Sequence, residues 1–78
     1  MPVKAFVLIQ TEIEAARTAE VTAALKKLGR NIQSVDSVTG PYDIIVLIEV
    51  ETMDEIDTVI EKIHAVAGVH RTVTCAAI

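Results

Sequence analysis

The alternation of apolar and polar positions divides the chain into six segments. Val3 to Gln10 is apolar at nearly every position, which predicts a strand covered on both faces. Thr11 to Ala16 interrupts that run and reads as a linker or a loose helix start, with Thr11 and Glu14 spaced as a capping box. A helix then runs to about Leu28. Val21, Ala24, Leu25 and Leu28 fall at i, i+3, i+4 and i+7 and form one apolar stripe. Gly29 stops it, and Lys26, Lys27 and Arg30 suit its negative end.

Asn31 to Thr39 predicts a second strand. Its apolar residues Ile32, Val35 and Val38 are three apart instead of two, so a bulge or an edge position is expected. Gly40-Pro41 then marks a tight reversal: Pro41 fixes its own φ and biases Gly40 away from the helical region. Tyr42 to Val50 predicts a third strand, apolar on both sides and therefore central, paired with the second as a hairpin. Thr52 and Glu55 are spaced as a capping box, and Glu51, Asp54, Glu55 and Asp57 crowd the positive end of a second helix. Ile56, Val59, Ile60 and Ile63 repeat the helical stripe, and Gly68 closes the segment. Val69 to Ile78 predicts a fourth strand, with Val69, Arg71, Val73 and Cys75 on one face and His70, Thr72, Thr74 and Ala76 on the other.

The order β-α-β-β-α-β predicts an α+β, ferredoxin-like fold spanning residues 1–78 as one domain. Right-handed crossovers put the first and third strands in the middle of a four-stranded antiparallel sheet, with both helices on one face. The other face keeps apolar residues, either Phe6 and Leu8 or Ala5, Val7 and Ile9, with alternate residues of Ile44 to Ile48. Burying a few hundred Å² of it at roughly 25 cal/mol per Å² favours a dimer by several kcal/mol before association costs. Sheet-to-sheet dimers are expected.

Composition strengthens that expectation. Hydrophobic residues make up 51% of 78, more than a lone core of this size readily hides. The net charge of -4 argues against direct nucleic-acid binding, which needs a basic face. Cys75 is the only cysteine, so no internal disulfide forms, and a cytoplasmic setting fits. The first residues lack a signal-peptide core, and no run approaches the roughly 20 apolar residues of a membrane span.

Candidate chemistry gathers at the central reversal. Thr39, Gly40, Pro41 and Tyr42 offer backbone donors and acceptors, and Asp43 offers an anion at the mouth of the third strand. Thr72 and Thr74 project from one face of an edge strand and could supply hydroxyls. Such a mixture of donors, acceptors and an anion at one sheet end marks a ligand-contacting edge. Simpler roles compete at each position: a turn for Gly40 and Pro41, turn-amide bonding for Asp43, an interface for Tyr42, plain strand residues for Thr72 and Thr74.

The run Val35-Asp36-Ser37-Val38-Thr39-Gly40-Pro41-Tyr42-Asp43, followed about thirty residues later by Gly68-Val69-His70-Arg71-Thr72-Val73-Thr74, resembles the effector domain of the Lrp/AsnC family of feast/famine regulators, the RAM domain. The likeness covers almost the whole chain. It implies an amino-acid-binding module whose ligand contacts map onto Gly40, Tyr42, Asp43, Thr72 and Thr74. It also implies dimers joined through their sheets and assembled into octamers or decamers, with the effector held between dimers. Typical members carry an N-terminal helix-turn-helix. This chain begins at its first strand, so a stand-alone form is expected, whose regulatory output would need a partner such as a full-length Lrp/AsnC regulator.

Other chemistries fit less well. His64 and His70 lie on different elements with no third metal ligand, and Cys75 lacks a Cys-x-x-Cys partner and reads as a small packed residue. The acidic run from Glu49 to Glu61 reads as a capped, solvated helix face. No cofactor is implied. A small ferredoxin-like monooxygenase or isomerase would need a polar group inside its pocket, where these positions are aliphatic, and no nucleophile–base pair is found. An ACT-like regulatory module shares fold and ligand class, but such modules usually sit within larger enzymes.

Overall fold

The computed structural model describes residues 2–11 and 15–78, with side chains from residue 19 onward in the first helix. The elements are β1 (Val3–Thr11), α1 (Ala15–Lys26), β2 (Ile32–Ser37), β3 (Ile44–Val50), α2 (Met53–His64) and β4 (Val69–Ala76). The antiparallel sheet runs β2-β3-β1-β4, so the two most apolar strands are the inner pair, as their composition requires. Ala5, Val7 and Ile9 stand opposite Ile48, Val46 and Ile44 and are fully buried with them. Val21 and Leu25 of α1 and Ile56, Val59 and Ile63 of α2 close over that face. α1 packs over β2, and α2 over β3 and β4. The buried set is aliphatic throughout, with no buried polar or charged side chain among the described residues.

The open face therefore belongs to Phe6 and Leu8, not to Ala5, Val7 and Ile9. Phe6 lies between Leu47 and Cys75, and Leu8 between Ile45 and Val73. These six form a two-row apolar patch on which Phe6 is 42% and Val73 38% exposed. Lys4 opposite Glu49 borders one end, and Gln10 opposite Arg71 the other.

Several boundaries differ from the sequence reading. Thr11 ends β1 instead of opening a linker, and its predicted box partner Glu14 lies outside the described residues. α1 stops at Lys26; Lys27 and Leu28 continue with tighter bonds from their amides to the Ala24 and Leu25 carbonyls. β2 is shorter than predicted and does carry a bulge, between Ile32 and Ser34. α2 ends at His64, well before Gly68, which at φ +98 instead serves the turn into β4. The Val69 position is corrected. An irregularity at Gln10/Thr11 places Val69 opposite Thr11 and Arg71 opposite Gln10, so one extra residue of β4 flips the alternation. Val69 packs against the core, whereas Arg71, Val73 and Cys75 share the open face. Cys75 is accordingly exposed and not packed.

Candidate functional site

The reversal between β2 and β3 is wider than a tight turn. Ser37 pairs with Ile44, which leaves residues 38–43 as the connection. The Val38 amide donates to the Asp43 carbonyl (2.8 Å) and closes it, and Gly40 takes φ +134, open to glycine but strained for other residues. The connection is then tied to β1 from three sides. The Asp43 amide donates to the Ile9 carbonyl (2.9 Å). Asp43 Oδ2 accepts from the Thr11 amide (2.8 Å) and the Thr11 hydroxyl (3.1 Å). Gln10 Nε2 donates to the Pro41 carbonyl (3.3 Å).

Asp43 thus bonds an amide, but across the sheet at the end of β1 and not within its own turn. Its Oδ1 has no hydrogen bond among the described residues. Thr39, Gly40 and Pro41 are exposed, and Tyr42 and Asp43 are half-buried. The sequence-predicted residues Thr39 to Asp43 therefore gather at one sheet end, joined by Gln10 and Thr11. The last two were missed because the Thr11–Glu14 spacing pointed to a helix cap. The inner-strand pairing of Ile9 with Ile44 puts them beside Asp43.

Thr72 and Thr74 are placed elsewhere. Opposite Ile9 and Val7 on edge strand β4, they lie on the helix side of the sheet. Thr72 Oγ1 is 2.9 Å from His64 Nε2 at the end of α2. β1 separates β4 from β3, so the two groups stand two strand spacings apart, about 10 Å. The Asp43 and Thr72 side chains are turned to Thr11 and His64 respectively.

At the opposite sheet end a polar groove is lined by Arg30, Asn31, Gln33, Glu49, Glu51 and Glu55. Its groups are engaged structurally: Asn31 Nδ2 donates to the Glu49 carbonyl, and Glu55 Oε1 accepts the Glu51 and Thr52 amides. Among the described residues no cluster of three or more His, Cys, Asp or Glu is placed to hold a metal, and no helix is long and apolar enough to cross a membrane.

The family model for the Lrp/AsnC ligand binding domain matches residues 4–78. The chain belongs to the Lrp/AsnC ligand-binding domain family. This Lrp/AsnC domain resembles TTHA0845 from Thermus thermophilus, at 35% identity and a TM-score of 0.86 over 97% of this chain and 92% of that one. A hypothetical protein, PHS023 from Pyrococcus horikoshii, gives 32% and 0.82 over 97% and 89%. The feast or famine regulatory protein Rv3291c from M. tuberculosis, complexed with L-methionine, shares the fold at 22% identity and a TM-score of 0.80; the domain spans 50% of that chain. No curated protein matches the sequence. Family and fold make this a regulatory effector domain.

Proposed function

We propose that this domain binds a free α-amino acid at a junction between subunits. Residues Thr39 to Asp43 contribute from one subunit, and Thr72 and Thr74 from another. The observation that carries the reading is the separation of the two groups. Each lies at the surface with hydrogen-bonding atoms, and within one chain they sit on different strands with β1 between them. Asp43 receives the ammonium through Oδ1 while Oδ2 stays on Thr11; the turn amides receive the carboxylate, and the threonine hydroxyls bond the head group from the second subunit. The methionine bound to the M. tuberculosis regulator supports this ligand class.

Assembly follows from the open sheet face. An apolar patch rimmed by polar residues is a contact surface, and here a second copy supplies the matching one. Dimers formed through it associate further, into an octamer or decamer, to create the amino-acid sites. The single domain acts in the cytoplasm as a sensor rather than a catalyst, without a cofactor. It transmits its state through a partner such as a full-length Lrp/AsnC regulator.

Native mass spectrometry with the twenty L-amino acids, followed by calorimetry, tests the reading. Asp43→Ala weakens the best ligand tenfold or more, since a hydrogen bond to a charged group contributes about 1.5–3 kcal/mol. Asp43→Asn keeps an oxygen for the Thr11 amide and removes the charge; it falls nearly as far if the ammonium is the contact. Unchanged affinity in both variants rejects the role of Asp43.

A further inference from the structure

We propose that His64 is a positioning residue of the amino-acid site: its hydrogen bond to Thr72 sets whether that hydroxyl meets the effector as a donor or as an acceptor. The inference rests on the amino-acid reading above, but it concerns a residue outside the site predicted from the sequence.

The connection from α2 to β4 holds the two side chains together. The Ala65 amide donates to the Glu61 carbonyl, Val66 to Ile63 and Val69 to Val66, which folds residues 65–68 into a short turn. His64 and Thr72 are eight residues apart in sequence and meet at 2.9 Å. Both remain accessible, since His64 is exposed and Thr72 half-buried. The pair also lies at the end of the sheet that carries the reversal, because Thr72 and Ile44 both flank Ile9.

A threonine hydroxyl has one proton and two lone pairs. When His64 Nε2 is unprotonated, Thr72 donates its proton to the ring and presents only lone pairs outward, which suit an ammonium. When Nε2 carries hydrogen, the ring donates to Oγ1 and the hydroxyl proton is free to point outward, which suits a carboxylate. In the first state the hydroxyl proton is committed to the ring; in the second the ring N–H occupies one lone pair and restricts the proton to the outward directions. Binding then does not have to order a free rotor. An exposed bond of this kind adds little to folding, so its effect falls on recognition and not on stability.

Calorimetry with the tightest-binding of the twenty L-amino acids separates the possibilities. His64→Ala weakens binding about fivefold or more with the melting temperature unchanged. His64→Gln, whose amide reaches the position of Nε2 and both donates and accepts, stays within about threefold of the parent. In a Thr72→Val background, His64→Ala produces no further loss, because there is no hydroxyl left to orient. Parent-like affinity in His64→Ala, or losses that simply add in the double variant, overturns the inference while leaving the Asp43 dependence intact. Failure of the amino-acid reading looks different: the unaltered protein binds none of the twenty, and the inference falls with it.

Discussion

Asp43 has a role in the fold and a second in the proposed site. One carboxylate oxygen holds the end of β1 through the Thr11 amide and hydroxyl, and the other has no hydrogen bond among the described residues. A carboxylate anchored in this way has lost rotamer freedom before any ligand arrives, which favours recognition of a cation. Gly40 supports the same arrangement from the backbone. Its φ of +134 is a region that side-chain-bearing residues rarely adopt, and a Cβ added there meets nothing within 4 Å. The cost of Gly40→Ala is therefore conformational and not steric. It lowers stability by about 1–3 kcal/mol, read as a lower urea midpoint by circular dichroism. An unchanged midpoint would show that residues 38–43 relax without loss.

At the level of elements, α2 is the better specified helix. Glu55 Oε1 accepts the amides of both Glu51 and Thr52, at 3.1 Å each, and Asp54 and Glu55 suit the positive end. Glu55→Ala is expected to cost about 1 kcal/mol, because two amides at the start of the helix lose their acceptor. Thermal unfolding checks it; a melting temperature equal to the parent's would mean that water replaces the cap. Both helical stripes and the inner position of β1 and β3 were legible in the sequence, because burial imposes periodicity that residues display directly. What was not legible shares a cause. The face of Val69 depends on an extra residue in β4, and nothing in Val69-His70-Arg71 marks it. The width of the reversal depends on bonds from Asp43 to β1, which join residues more than thirty apart. The turn half of the candidate site could be placed from Gly40-Pro41. The contact of Thr72 with His64 could not, because it follows from where α2 ends, and the sequence pointed to Gly68.

For the molecule as a whole, the two faces of the sheet have opposite fates. One is sealed by helices; the other carries Phe6, Leu8, Ile45, Leu47, Val73 and Cys75. None of these belongs to the buried core, so charge can be introduced there without unfolding the chain. Phe6→Asp is expected to retain its circular dichroism spectrum and to sediment as a smaller species, with amino-acid binding lost along with the assembly. A sedimentation coefficient equal to the parent's at micromolar concentration would show that subunits meet by another surface.

The distribution of rings has a practical outcome. The chain has no tryptophan, one tyrosine and one phenylalanine, and neither Tyr42 nor Phe6 is part of the sealed interior. Folding of that interior is consequently almost silent in the near ultraviolet. Tyr42 stands in the reversal and Phe6 on the bare sheet face. What little chromophore the protein owns lies outside its aliphatic centre, so its optical signals follow the surroundings of the reversal and of the bare sheet face far more than the state of that centre.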